Sequence, residues 1–307
     1  MSKRFFSIMI FLTAVMTVSF GQAVPFLNSF SDARTAAMGH AGYVLPSAFA
    51  VHRNTAAMMS GYAPATEVAI SYLLWQPQSA NTSLINAGGY TRFNNFGLAA
   101  GFRYNTMPAI EKTDEHGNAM GTFAPSEYVA EAGLAYKINS VFSAGAAFRY
   151  IVSDMGGAKK GAAFAADISL LYNHKNLSAG LGLSNFGSKI GYGSSAYGLP
   201  TRINGGGAYC YSMKEKHALT GVLDVAYQLS SGYAGLASGI GAEYTYNDFV
   251  SARTGYHLES NPIGSSYATL GCGVHFAGFV FDFAYLIAGN NNPMSQTMIF
   301  SLVAHLK

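Results

Sequence analysis

Hydrophobic and polar residues alternate with a period of two along most of this chain, from residue 65 to the C-terminus. In the last such stretch, residues 294–306, Met298 and Phe300 fall on one face, and Ser301 and His305 fall on the other. A period of two is that of a β-strand whose two faces meet different environments. The repeated pattern predicts an all-β chain built from many such strands.

The alternation divides the chain into about fourteen strand candidates, each close to the roughly 9–11 residues that a tilted strand needs to cross a bilayer. They lie near 65–75, 82–92, 95–105, 126–138, 140–152, 161–173, 175–185, 200–211, 215–228, 234–247, 248–258, 265–276, 278–287 and 294–306. Connections after the even-numbered strands are brief, whereas most others are longer, chiefly 106–125 and 186–199. Short turns on one side and long loops on the other are typical of an outer-membrane β-barrel, and an even strand count puts both barrel termini in the periplasm.

One face of the candidate strands carries aromatic and aliphatic residues, and the other carries the charges. Because Arg or Lys facing lipid at mid-depth costs roughly 2–4 kcal/mol, the charged face is predicted to line the lumen. The residues predicted to point inward are Arg103, Glu131, Arg149, Asp167, Arg202, Asp224, Glu243, Arg253 and Asp282. This set fits a polar translocation path, and it also fits a lumen closed by ion pairs or occupied by a plug.

Composition agrees with a membrane barrel. Only 11% of the 307 residues are charged and 14% are aromatic, against roughly 25% charged residues in soluble domains. After the first twenty residues no apolar run is long enough for a membrane-spanning helix. The net charge of +3, without a basic cluster, gives no reason to expect nucleic acid as a partner.

The N-terminal part divides into two pieces before the barrel, which is expected over residues 65–307. Residues 1–21 have the features of a secretory signal peptide, with Lys3 and Arg4 before an apolar stretch and a small residue, Gly21, at its end. Residues 22–64 do not alternate and contain three prolines. They are interpreted as a compact plug or hatch, inside the lumen or at its mouth.

No arrangement of catalytic or metal-binding residues is recognisable. The eight histidines are scattered, and no serine is grouped with a histidine and an acid at a known spacing. We therefore expect a protein that is not an enzyme and that uses no cofactor or metal. Cys210 and Cys272 fall on opposite faces of their strands, which predicts two free thiols.

Four stretches together resemble the PorV/PorQ family of outer-membrane proteins, which is related to the FadL fatty-acid transporters. They are DARTAAMGHAG at 32–42, LSNFGSKIGY at 183–192, LPTRINGGGAY at 199–209 and FDFAYLIAGNNNPMSQTMIFSL at 281–302. The resemblance implies a FadL-like barrel of fourteen strands with an N-terminal hatch. The hatch residues expected on this basis are Asp32, Arg34, Met38, Gly39, Gly42 and Asn54. Thr55 stands where the family usually has proline, so the local turn is expected to differ.

The same resemblance implies a location and a role. It suggests the outer membrane of a Gram-negative bacterium of the Bacteroidota, contact with outer-membrane lipid, and a place in type IX secretion with secretion-system proteins or secreted cargo as partners. In this interpretation Asp32 and Arg34 anchor the hatch to oppositely charged wall residues. The alternative is a FadL-like transporter that holds a hydrophobic ligand in the lumen, with a strand kink at 205–207 as its lateral opening.

Overall fold

A closed antiparallel β-barrel forms the body of the molecule. The computed structural model describes residues 23–61, 63–77, 79–156, 159–213, 216–229, 234–260, 264–289 and 291–306. The predicted signal peptide lies outside this range. In chain order the strands are β1 Thr66–Trp75, β2 Thr82–Phe93, β3 Phe96–Thr106, β4 Ile110–Thr113, β5 Ala119–Phe123, β6 Ser126–Lys137, β7 Phe142–Asp154, β8 Gly161–His174, β9 Leu177–Gly187, β10 Ile190–Tyr192, β11 Ser195–Tyr197, β12 Arg202–Met213, β13 His217–Gln228, β14 Gly235–Tyr246, β15 Val250–Glu259, β16 Tyr267–Phe276, β17 Phe279–Ile287 and β18 Met298–Leu306.

Fourteen of these strands pair in sequence order, and the first pairs with the last. At the seam between β1 and β18, Thr66 lies opposite Leu306 and Ser71 lies opposite Ser301. The first strand therefore begins, and the last strand ends, at the rim of the barrel that carries the short turns. The predicted fourteen-strand barrel is confirmed. One boundary was wrong, because β18 begins at Met298: the preceding residues turn, with the Ser295 amide donating to the Asn292 carbonyl at 3.0 Å.

The two faces of the wall differ as the alternation predicts. Outward residues such as Leu181 and Phe281 are 64% and 57% exposed, whereas the inward Arg149 is 1% exposed. An aromatic and aliphatic outer surface of this kind is stable only against lipid. Among the described residues, no helix is both long and apolar enough to cross a bilayer.

The two longest connections each fold into a hairpin, where the sequence indicated plain loops. The hairpin of β4 and β5 is exposed at almost every position, and its base is closed by the Met107 amide donating to the Pro125 carbonyl at 3.1 Å. The hairpin of β10 and β11 instead packs into the mouth of the barrel, where Ile190 is fully buried and contacts Gly161.

The expected kink at 205–207 is absent, and an irregularity occurs elsewhere. The three glycines of β12 pair in continuous register with β9 and β13. The register shifts between β8 and β9, where Ser184 and Asn185 together lie opposite Asp167. Asn185 takes φ 57°, a left-handed conformation that asparagine tolerates better than most residues. Its amide donates to the Asp167 carboxylate at 2.8 Å, which gives the bulge a partner.

Candidate functional site

Residues 23–61, called here the N-terminal segment, lie against the inner face of the barrel. The segment contains the short α-helix Ala33–Ala36 and the 3₁₀-helices Pro25–Asn28, Ala50–His52 and Thr55–Met59. Its start is at the long-loop end, where the Ala23 amide donates to the Gly198 carbonyl at 3.1 Å. Its end is at the short-turn end, where Arg92 donates to the Ser60 carbonyl at 2.8 Å. The segment therefore runs the length of the lumen.

Glycines on both partners allow the segment and the wall to approach backbone to backbone. Gly39 has φ 72°, and a Cβ there would come within 2.5 Å of the Tyr256 carbonyl oxygen and 2.7 Å of the Ile240 carbonyl oxygen. Gly241 and Gly255 of the wall in turn abut Met38. Inward glycines elsewhere serve the same purpose against other parts of the segment: Gly88, Gly101, Gly133, Gly145, Gly182 and Gly271. The small inward residues thus make room for this segment.

One charge network joins the segment to the wall through Arg34. The Arg34 guanidinium donates to both carboxylate oxygens of Glu243, at 2.9 Å and 2.6 Å. Arg253 also donates to Glu243, at 2.5 Å, and to Asp282 at 2.6 Å. The four side chains form an alternating chain of two cations and two anions across β14, β15 and β17, and this arrangement compensates their burial.

A second network surrounds Arg149 on the opposite side of the lumen. Its guanidinium donates to Glu131 at 2.6 Å, lies 2.5 Å from Asp167, and binds the side chain of Asn185. It also donates to the carbonyl of His52 in the segment at 3.0 Å, and the His52 ring contacts Glu131. The predicted inward residues Glu131, Arg149 and Asp167 are thus brought together around the segment.

Arg103 binds the segment without a carboxylate. It donates to the carbonyls of Leu27 and Phe26 at 2.9 Å and 3.0 Å, and to the side chain of Asn86 at 2.9 Å. Arg202 donates to Gln228 at 3.1 Å and lies 3.5 Å from Glu259.

Two further segment residues bind Asp224, since the amides of Gly42 and Tyr43 each donate to its carboxylate at 2.7 Å. Among the predicted inward residues, Arg103, Arg149 and Asp224 therefore all bind backbone groups of the segment.

Asp32 lies differently from its expected anchoring to the wall. Its carboxylate caps the helix Ala33–Ala36 by accepting from the Thr35 amide at 2.8 Å, and it bonds Ser31 at 2.7 Å. Its cation is Arg53, also in the segment, at 3.5 Å. Burial raises the pKa of this carboxyl, but the Arg53 charge and the hydrogen bonds from Thr35 and Ser31 outweigh burial, so the pKa lies below its usual value. Asp32 therefore stabilises the segment from within.

The Asn54–Thr55–Ala56 turn is compatible with the missing proline. Thr55 is the first residue of the 3₁₀-helix Thr55–Met59, a position whose amide needs no partner within the helix and which suits proline for that reason. Threonine fits there too, and its methyl group contacts Gly133. Asn54 is fully buried, and neither polar atom of its side chain has a hydrogen-bond partner among the described residues.

Several residues of the lumen were not predicted from the sequence to be part of the site, among them Glu127, His52, Arg53 and Asn185. Glu127 is 2% exposed and accepts from Asn105 at 3.1 Å and Ser153 at 3.0 Å. The alternation contained the signal for it, since it shares a face with Glu131. The others lie in the non-alternating segment or at the bulge, where a period of two gives no information.

The described part of the site contains no disulfide and no group of side chains with metal-ligand geometry. Among the residues that the structure describes, no three His, Cys, Asp or Glu side chains lie close enough to hold a metal ion. Cys210 and Cys272 are both free, as predicted. Thr220 donates to the Cys210 sulfur at 3.5 Å inside the barrel, whereas Cys272 is exposed on the outer face.

Comparisons with known proteins agree with this architecture. A family model described as "Type IX secretion system protein PorV" matches residues 14–231. A comparison with curated proteins finds no match. The toluene transporter TbuX of Ralstonia pickettii is similar in structure, with a TM-score of 0.65 at 13% identity, covering 92% of this chain and 100% of that one.

Two other solved structures have the same fold. The toluene transporter TodX of Pseudomonas putida has a TM-score of 0.64 at 11% identity, covering 91% of this chain and 99% of that one. A FadL homologue of Pseudomonas aeruginosa has a TM-score of 0.52 at 12% identity, with 89% and 97% covered. At these identities the likeness concerns the fold, which many different functions share.

Proposed function

On the premise that this chain belongs to the PorV family of type IX secretion system proteins, we propose that its exposed hairpin binds a protein partner of that export route. The chain is an outer-membrane β-barrel of a Gram-negative bacterium, and the families it resembles are transport and secretion barrels. In the proposed role the barrel wall and the N-terminal segment form a scaffold without catalytic chemistry, and the partner is a secreted protein or another component of the secretion system.

The observation that supports this most directly is the contrast between the N-terminal segment and the hairpin of β4 and β5. The N-terminal segment is held by Arg34, Arg103 and Arg149 through short bonds to the wall. The hairpin is exposed at almost every position, and among the described residues a backbone bond at its base, from the Met107 amide to the Pro125 carbonyl, joins its two ends. A fixed segment in the lumen makes a plug, and a free hairpin at the long-loop end offers strand edges and apolar side chains to a partner.

The orientation of the barrel completes the proposal. The short turns and both ends of the barrel face the periplasm, and the long connections face the cell exterior, as is usual for bacterial outer-membrane barrels. Ile110 and Met120 of the exposed hairpin, which are 58% and 67% exposed, then project from the cell surface. The family resemblance extends the proposal to the Bacteroidota as source.

An affinity pull-down from native outer membranes in mild detergent tests the proposal. We expect mass spectrometry to identify secreted proteins or other secretion components with the tagged barrel, and to find them lost from a variant without the exposed hairpin. Recovery of the same proteins with that variant, or of no protein partner at all, would count against it.

A FadL-like transporter of hydrophobic molecules is the second candidate, and one observation favours it. An apolar cluster lies near the long-loop end between the segment and the wall, with Phe26, Leu27 and Phe30 packed near Leu286 and Ile299. The similar structures include proteins described as toluene transporters. Extraction of the purified barrel for lipid analysis separates the candidates, because a bound apolar molecule without a protein partner supports transport.

A further inference from the structure

A cavity of about 100 Å³ lies between the N-terminal segment and the wall formed by β7, β9, β12, β13, β14 and β15. Its volume is several times the roughly 10–15 Å³ that a cavity needs to hold one water molecule. Arg53 and His40 line the cavity from the N-terminal segment. Arg202 of β12, Asp224 of β13 and His257 of β15 line it from the wall. Charged and polar side chains line the cavity together with apolar ones, unlike the apolar cluster at the mouth, and the proposed secretion role makes no use of it.

Two of the three arginines that line this cavity, Arg53 and Arg202, are less completely bonded than other lumen arginines. The third, Arg149, binds a carboxylate at 2.5 Å, and Arg34 and Arg253 do so at 2.6 Å and 2.5 Å. For both Arg53 and Arg202, the carboxylate contact is 3.5 Å long. A guanidinium has five N–H donors, and the Nε of Arg53 is buried without a hydrogen-bond partner in the described part of the chain. The N–H groups of Arg53 and Arg202 that lack a close acceptor therefore lie beside the cavity.

Other lining groups add to this excess of donors. The hydroxyl of Tyr43 is buried, and no described residue is its hydrogen-bond partner. The His40 ring packs on Phe30 and His257 at centroid distances of 4.5 Å and 5.6 Å. Among the described lining residues, Asp224 is the one carboxylate. One of its oxygens already accepts from two backbone amides, and the other has no hydrogen-bond partner within the ranges that the structure describes.

From this arrangement we propose that the cavity binds a small solute through an anionic oxygen group, a carboxylate or a phosphate, held between Arg53 and Arg202. Such a group accepts the N–H bonds that the wall leaves unmade, because guanidinium and carboxylate or phosphate match in geometry and charge. The Asp224 oxygen then receives a hydroxyl or amine of the same solute. The site selects a hydrophilic molecule, in contrast to the apolar ligand of the transporter hypothesis.

The test measures binding of two simple probes to the purified full-length barrel in mild detergent. Sodium phosphate and sodium acetate are titrated separately at pH 7, with sodium chloride of equal ionic strength as the reference, and the unfolding midpoint is followed. Ligand binding to the folded state raises the midpoint with probe concentration. Phosphate also stabilises folded proteins generally, because it is excluded from their surface, so binding is identified by a rise that saturates with probe concentration. A saturating rise with acetate alone identifies a carboxylate site, and one with phosphate alone identifies a phosphate site.

Matched variants locate the effect. We expect Arg53→Gln and Arg202→Gln each to weaken probe binding at least tenfold, and Lys112→Gln, which removes the same charge from the exposed hairpin, to leave it unchanged. If a lumen variant fails to fold, Arg53→Lys or Arg202→Lys takes its place, because lysine keeps the charge and removes the planar guanidinium. Equal midpoints in all salts, or equal loss in Lys112→Gln, would overturn the proposal.

Discussion

Arg34 and Glu243, separated by 209 positions in the chain, form a two-bond ion pair with distances of 2.9 Å and 2.6 Å. The pair joins the α-helix Ala33–Ala36 of the N-terminal segment to β14. Glu243 also binds Arg253, so the loss of Arg34 leaves a partly compensated carboxylate rather than an isolated one. Removing the Arg34 side chain therefore tests how much this ion pair contributes to the docking of the segment on the wall.

Replacing Arg34 by glutamine should loosen the segment while leaving the barrel closed. We expect a loss on the order of 2 kcal/mol in segment docking, which is typical of charge-assisted hydrogen bonds that are partly buried. Hydrogen–deuterium exchange of amides in residues 33–45 should become about tenfold faster or more, since opening then costs less. Lys112→Gln is the control, and unchanged exchange in Arg34→Gln would show that the pair does not hold the segment.

A methyl group at Gly39 should disturb the contact between segment and wall. Gly39→Ala places a Cβ against two wall carbonyl groups and also forces alanine into φ 72°. Gly117→Ala is the matched control, because Gly117 has a similar φ of 84° but open space around the position of a Cβ. Both variants carry a backbone strain of about 1 kcal/mol, and Gly39→Ala adds about 1–3 kcal/mol of overpacking. Denaturant unfolding of both variants measures the difference, and equal losses would mean that the close approach is unimportant.

Asp32 should make segment stability depend on pH in the acid range. Burial raises its folded-state pKa, but Arg53 and three hydrogen bonds outweigh burial, so the pKa lies below the usual value. A lowered folded pKa means that the ionised carboxylate stabilises the fold above the unfolded pKa of about 3.9, and that this contribution is lost as pH falls through the folded pKa. Asp32→Asn keeps a good helix cap but removes the charge.

The wild-type protein and the Asp32→Asn variant should differ by about 1–2 kcal/mol at pH 7, which is typical of hydrogen bonds to a charged group. The difference should narrow once the pH falls below the unfolded pKa of about 3.9 and should vanish below the lowered folded-state pKa. Denaturant unfolding of both proteins at pH 7, 5 and 3 checks this. A difference in unfolding free energy that stays constant with pH would assign the loss to packing instead of charge.

The wall of this barrel follows from the sequence because each strand meets two solvents. Lipid outside and a polar lumen inside force alternation, so the direction of Phe281 and Asp282 can be read residue by residue. The alternation of short turns and long loops then shows which connections lie at the same rim of the barrel. Free thiols at Cys210 and Cys272 follow from the same rule.

The interior is harder to predict, because its partners come from distant parts of the chain. No local sequence pattern shows that Asp32 pairs with Arg53. None shows that β9 has a bulge in which Ser184 and Asn185 both lie opposite Asp167. The glycines of β12 suggest a kink by composition, but the ladders on both sides hold them in register. Glycine permits a bulge without requiring one.

The exposed hairpin should be removable without loss of the barrel. Its base is closed by the Met107–Pro125 bond at 3.1 Å, so a short Gly–Ser turn can replace residues 108–124 with little rearrangement. The hairpin of β10 and β11 allows no such change, because Ile190 is part of the core. We expect the shortened protein to keep the unfolding midpoint of the full chain within a few degrees, since few buried contacts are lost.

Partner recovery should fall at least tenfold in the same variant if the hairpin is the binding surface. A milder variant, Ile110→Ser with Met120→Ser, removes the two exposed apolar side chains and keeps the backbone edge. If binding uses side chains, both variants lose the partner; if it uses strand addition, the double serine variant retains it. Full recovery with the shortened protein, at an unchanged midpoint, would move the search for the binding surface away from this hairpin.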